Sequence, residues 1–326
     1  MKLTLMVFGL LSLSHGLIAQ AVPEAMDLIR LAEAFRLARV VQSTVWPGWE
    51  TAPFPVLLVD AERESLVGES VVPRGFTPDG YSAILQMDIW SRPRQFDQSL
   101  LATFPAFGPP AVIVMGRAEA TKKTSATWVL TVLHEHFHQF QTADPKYYSE
   151  VEELGLAGGD QTGMWMLNYP FPYQSPNVAG AFAAVSRELA QVLRRPSPPD
   201  RKRFWQSYNA FLDGLSERDR RYLSFQVWQE GVARYVELRV AEVAADTFTP
   251  SLEFRNLPDV QPFSAVSDAM RAEILRELES PDLPKQQRVS FYAFGAGLAL
   301  LLDQDSNSWK LKYLTEKFSL EQYAVR

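Results

Sequence analysis

The 326-residue chain contains no cysteine and only four histidines. The first absence excludes a disulfide framework, a thiolate zinc site, a cysteine nucleophile and a lipid anchor on an N-terminal cysteine. Basic residues do not outnumber acidic ones: 32 Lys and Arg stand against 38 Asp and Glu, a net charge of −6. That balance does not suit a nucleic-acid-binding protein. Past the N-terminal stretch no uninterrupted apolar run reaches the roughly 20 residues that a membrane span requires. What is present is ordinary for a globular protein, with 47 % hydrophobic and 21 % charged residues. Without disulfides, its stability has to come from a packed core.

The chain begins MKLTLMVFGLLSLSHGLIAQA. Lys2 supplies a short positive region, Leu3 to Leu13 an apolar one, and Ala19-Gln20-Ala21 a small-x-small cleavage site. The expectation is a secretory signal peptide over residues 1–21, hence a secreted or bacterial periplasmic protein. An uncleaved N-terminal anchor is the alternative. Cleavage removes His15 and leaves three histidines, all inside LHEHFHQFQ, Leu133 to Gln141.

Residues 22–123 read as a helix followed by a small mixed sheet, and 124–326 as a mainly helical part that forms one unit with the sheet. The expected fold class is α+β. Met26, Ile29, Phe35, Ala38 and Val41 give a helical period over Pro23–Gln42, broken by Trp46-Pro47-Gly48-Trp49. Val56–Val59, Ser82–Trp90 and Ala111–Met115 read as strands. Helices are predicted at about Thr124–Gln141, Val178–Leu193, Arg201–Leu215, Glu217–Ala245, Ser264–Leu278, Ser290–Asp303 and Trp309–Phe318. Gly155–Ser175 reads as a long aromatic loop whose Trp165, Asn168 and Tyr169 are candidates for a cleft wall. Arg194–Arg203 reads as a solvated, proline-rich connector.

Leu130, Leu133, Phe137 and Phe140 make one apolar stripe, so the histidine cluster lies on a helix packed against a core, with Thr124-Ser125 at its start. On that helix His134 and His138, at i and i+4, share a face. Two imidazoles at that spacing can bind one zinc ion, and Glu135 between them can act as general base on a metal-bound water. His136 points to the opposite side, about 200° round the helix, and reads as a structural histidine. A catalytic zinc keeps three protein ligands and one open position. With no cysteine and no further histidine, the third ligand has to be Asp or Glu. The best candidate is Glu230 in WQEGVARYVE, where Gly231 and Ala233 let a second helix approach closely.

Together these residues resemble a gluzincin, a zinc metallopeptidase with two helix histidines and a glutamate on a second helix. Glu230-Gly231-Val232-Ala233-Arg234-Tyr235-Val236-Glu237 is similar to the corresponding segment of the aminopeptidase-N-like family. FYAFGAGLALLL, Phe291 to Leu302, matches that family's tyrosine three residues before a glycine, here Tyr292 and Gly295. The resemblance implies one zinc per chain held by His134, His138 and Glu230, with Glu135 as base and Tyr292 as donor to the oxyanion. It further implies a zincin-like fold, a peptide or protein substrate, and a strand, Ala111–Met115, that edges the cleft and pairs with it. The chain departs from the family in two places. The interval from His138 to Glu230 is far longer, and Val114-Met115-Gly116-Arg117 stands where the family's exopeptidase signature would be. Hydrolysis of an amide bond is therefore the implied chemistry, without the aminopeptidase specificity. Two other readings share these residues: a zincin-fold binding protein without catalysis, and a zinc amidase acting on a non-peptide substrate. An intact Glu135 favours catalysis, because a purely structural site has no use for a base.

Overall fold

A run of apolar residues at helical spacing from Leu28 to Val45 forms the first helix, α1 (Ala25–Val45), and buries one side of it. Gly48, at φ 82°, turns the chain just beyond its end. Trp46 and Trp49 do more than break the helix, since both are fully buried. Trp46 sits edge-on to Phe137 at 4.9 Å, and Trp49 Nε1 donates to the His136 carbonyl at 3.3 Å. This computed structural model describes residues 24–69, 71–160 and 162–324. The expected signal peptide, and with it the cleavage site, lies outside the described residues.

Six strands follow: β1 (Val56–Val59), β2 (Arg63–Val67), β3 (Thr77–Ser82), β4 (Met87–Pro93), β5 (Leu101–Phe104) and β6 (Val112–Gly116). They form one mixed sheet in the order β3-β4-β2-β1-β6-β5. Only β1 and β6 pair in parallel; the other neighbours are antiparallel. β1 and β6 read as continuous apolar runs because both their faces are covered. Val56, Leu58, Ile113 and Met115 point into the main core, while Leu57, Val59, Val112 and Val114 point into a smaller cluster on the other face.

The predicted strand Ser82–Trp90 is really the turn between β3 and β4 with one end of each, Gln86 taking a positive φ of 58° in that turn. β6 matches the predicted strand Ala111–Met115 to within one residue at each end, but it is interior, flanked by β1 and β5. The expectation that it edges the cleft is therefore wrong, and the edge on that side is β5.

The rest of the chain is helical: α2 (Ser125–Thr142), α3 (Tyr147–Glu153), α4 (Trp165–Asn168), α5 (Pro176–Arg194) and α6 (Pro198–Asp213). After α7 (Glu217–Gln226) come α8 (Val232–Thr247), α9 (Leu252–Arg255), α10 (Phe263–Glu279), α11 (Leu283–Gln286) and α12 (Ser290–Asp305). The single helix predicted over Glu217–Ala245 is interrupted: Val227–Gly231 between α7 and α8 winds as a π-helix. Ser197 caps α6, with Pro198 in its first turn, so the predicted connector Arg194–Arg203 shrinks to residues 195–197. The predicted helix Trp309–Phe318 is instead a 3₁₀ turn, Asn307–Leu311, followed by irregular turns.

The aromatic segment 155–175 is held in the fold. Tyr169 stacks on Tyr222 at 4.3 Å, Trp165 packs on Phe225 at 5.4 Å, and Phe171 meets Phe291 edge-on at 5.2 Å. Its rings thus brace α7 against α12. One continuous core joins the residues before and after position 123. Among the described residues no helix is long and apolar enough to cross a membrane.

Candidate metal centre

α2 carries three of the five candidate residues. Thr124 caps it, its hydroxyl accepting from Thr127 N at 3.4 Å. The helix then runs beneath the sheet with nearly every side chain from Trp128 to Gln141 buried. His134 and His138 lie on one face, their Nε2 atoms 3.2 Å apart. Glu230 approaches from the π-helical segment, with Oε2 3.6 Å from His138 Nε2. One ligand atom from each of the three residues falls within 4.8 Å of the others.

The π turn is what aims this part of the chain. More residues per turn narrow the angle between successive side chains, so Gln229 and Glu230 both face α2. Gln229 reaches Gln141 and His138, and Glu230 reaches His138. Carbonyls in the segment take donors from outside the helix. Gln141 Nε2 donates to Gln229 O at 3.0 Å, and Tyr313 OH donates to Trp228 O at 2.7 Å. Close helix approach comes from two glycines: a Cβ on Gly231 would lie 2.4 Å from Gly295 Cα. α12 therefore crosses the π segment backbone to backbone, which brings Tyr292 beside Glu230.

The hydrogen bonds around His138 assign its tautomer. Gln141 Nε2 is spent on donating to Gln229 O and Tyr313 OH, so Gln141 Oε1 faces His138 Nδ1, at 2.6 Å, as an acceptor. His138 Nδ1 then carries the proton, and Nε2 is directed at the site. Gln229 Nε2 donates to the same Gln141 oxygen at 3.0 Å, and Tyr147 OH donates to Gln229 Oε1 at 2.9 Å. His134 is held differently. Its Nδ1 is buried without a hydrogen bond, yet Glu237 Oε2 lies 3.4 Å away. The contact is close in distance and imperfect in alignment, poised to accept a proton that His134 carries on Nδ1 when Nε2 binds a metal.

Glu135 leaves this face and points towards the sheet. Thr103 on the edge strand β5 donates to Glu135 Oε2 at 2.8 Å and lies 2.9 Å from the Glu135 carbonyl. Tyr292 accepts from Arg288 Nη1, and its phenol lies near enough to the Glu230 carboxylate to feel its charge. His136 is turned away: it is fully buried, stacked on Phe54 at 3.6 Å, and hydrogen-bonded to Gln139 at 2.8 Å and Gln42 at 2.6 Å.

Charge follows this arrangement. Burial lowers the His138 imidazole, but the Glu230 carboxylate, aided by Glu135, outweighs it and lifts His138 to about 9. Burial raises Glu230, and the facing His138 and His134 bring it down to about 2. Burial would also lift Glu237, but His134, Lys123 and Arg234 hold it below its usual value. For Tyr292, burial and then the Glu230 charge push the phenol well above its ordinary range, so it stays a donor. Burial takes His136 down to about 3, a neutral core histidine.

The donor set fits zinc. Two imidazole nitrogens and one carboxylate oxygen converge, and one imidazole is oriented by an amide carbonyl on its far nitrogen while a carboxylate stands behind the other. Glu135 does not belong to the group but its charge reaches His138, and Tyr292 stands beside Glu230.

All five residues singled out in the sequence lie in this one region. Others were not foreseen there. Gln141 is three residues after His138, as Gln139 is after His136, a repeated i, i+3 signal in HEHFHQFQ. Glu237 stands two turns beyond Glu230 and was noted only as part of a motif. Nothing in the sequence pointed to Thr103, Gln229 or Arg288. Comparison with known protein families, with curated proteins and with solved structures finds no match for this chain.

Proposed function

We propose that the protein is a zinc-dependent hydrolase, a metallopeptidase of the gluzincin type. The supporting observation is the convergence of His134, His138 and Glu230, contributed by two elements far apart in sequence, next along α2 to Glu135, whose carboxylate accepts from Thr103. Structural zinc sites close the fourth position with another protein ligand, and among the described residues the group contains three.

His134, His138 and Glu230 would hold the ion, which would supply the Lewis acidity for activating a water molecule near neutral pH and polarising a carbonyl. Thr103 fixes the Glu135 carboxylate, which takes the proton of the attacking water and returns it to the leaving amine. Tyr292, kept protonated by its surroundings, donates to the oxygen on which negative charge develops. Arg288 steadies that phenol from the outside. β5 is paired on one side only, so an extended peptide can add to its open edge and lie across Glu135. Secretion remains an expectation of the N-terminal sequence.

The test is Glu135→Gln, which keeps size and hydrogen bonding and removes the base. Zinc content stays at the parental level, while kcat on a cleaved peptide falls at least about a hundredfold. Full turnover in the variant would refute this mechanism.

A further inference from the structure

A cavity of about 280 Å³ opens beside His134, with Tyr292 also in its wall. Leu130 and Met270 give it an apolar side, and Lys123, Arg234, Glu237 and Glu273 also line it. Three of these charges already have partners. Arg234 makes a two-pronged bond to Glu277, at 2.9 and 2.8 Å. Glu237 faces His134 at 3.4 Å and accepts from Thr131 Oγ1 at 3.4 Å. Glu273 lies 3.8 Å from Arg234 and 3.7 Å from Arg276. Lys123 makes no ion pair among the described residues and acts on Glu237 through its charge alone. It stands just before the N-cap Thr124, so the positive end of α2 adds to its potential.

Resting on the peptidase reading above, we propose that this cavity receives an acidic side chain of the substrate, glutamate or aspartate, next to the bond that is cut. Its carboxylate meets the Lys123 ammonium, and its methylenes lie between Leu130 and Met270. Because the wall includes His134 and Tyr292, the occupant belongs to a residue flanking the scissile amide. A lysine or arginine side chain would meet Lys123 as a like charge and would find both glutamates already engaged.

The test is cleavage of a mixed peptide library by the zinc-loaded protein, with the cut sites mapped by mass spectrometry. Glu or Asp should be enriched at one position flanking the cut, with kcat/KM about tenfold or more above the Gln or Asn counterpart. Lys123→Met should abolish the enrichment, and Lys123→Glu should turn it towards Lys and Arg, both at parental zinc content. Cleavage without acidic enrichment, or with a profile that the Lys123 variants leave unchanged, would overturn this proposal and leave the hydrolase standing. No cleavage of any peptide by a protein that holds its zinc would overturn both.

Discussion

Adding one methyl group to Gly231 should damage the site although no proposed ligand is itself replaced. The Cβ of Gly231→Ala would lie 2.4 Å from Gly295 Cα and 3.0 Å from the Gly295 carbonyl carbon. Carbon atoms settle at about 3.5–4.0 Å, so the π segment and α12 must separate by about 1 Å or more. The obstructing atoms are backbone and cannot swing aside. Overpacking of this kind costs about 1–3 kcal/mol, and the rigid neighbour places the cost near the upper figure. Glu230 immediately precedes the altered residue, and Tyr292 is three residues before Gly295, so the wedge draws a ligand and the oxyanion donor out of line together. Zinc affinity should fall about 10- to 100-fold, the scale seen when the support of a ligand is lost.

Gly297→Ala is the matched control on the same helix. Its Cβ would meet Leu189 Cδ2 and Leu278 Cδ1, both at 2.9 Å, and those are side-chain ends that can move. The expected cost there is about 1 kcal/mol, with zinc affinity unchanged. Urea unfolding followed by tryptophan fluorescence gives the stabilities, and competition with a chromophoric chelator gives the affinities. Parental stability and affinity in Gly231→Ala, or an equal loss of affinity in Gly297→Ala, would refute the argument.

Glu237→Gln should leave the fold intact and weaken zinc binding about 10- to 100-fold, because the carboxylate behind the far nitrogen of His134 becomes a neutral amide, a weaker acceptor. Chelator competition measures this, and an unchanged affinity would show that His134 is oriented without Glu237. A pH effect should come from a different part of the molecule. Burial lifts the Asp27 carboxyl from 3.8 to about 6, against the pull of Arg117 and Arg30. The folded protein binds that proton more tightly than the unfolded chain does, so this stabilisation is complete below pH 3.8 and lost as pH rises through about 6. At about 1.4 kcal/mol per tenfold change in proton affinity, the span is worth up to about 3 kcal/mol. The unfolding free energy of Asp27→Asn relative to the parent should therefore rise by up to that amount between about pH 4 and pH 7.5, and a difference independent of pH would contradict the assignment.

The parts of the site that could be read in the sequence are those carried by short-range periodicity. The spacing of His134 and His138 is a property of one helix, and the small residues after Glu230 marked a close helix crossing before its partner was known. Thr103, Gln229 and Arg288 reach the site through tertiary packing, and no local pattern encodes that. The π-helix escaped for a related reason. Glu217–Ala245 has a continuous helical period, and the extra residue in the turn follows from how Gly231 seats against Gly295.

In the sheet, β1 and β6 were legible because runs buried on both faces are uniformly apolar. β2 was hidden by Arg63 and Glu64, although Glu64 is fully buried and satisfied by Arg92 Nε at 2.7 Å and by two backbone amides. β5, at the rim, has only partly buried residues and no clear alternation. Missing it shifted the expected cleft edge by one strand, onto β6.

The central claim is the metal, and elemental mass spectrometry of the purified protein tests it most directly, with Glu230→Ala measured alongside. The account predicts about one zinc per chain in the parent and a clear loss in the variant. Zinc retained in full by Glu230→Ala would show that another group is the third ligand. No zinc in the parent, even after reconstitution, would contradict the account and return His134 and His138 to a structural role.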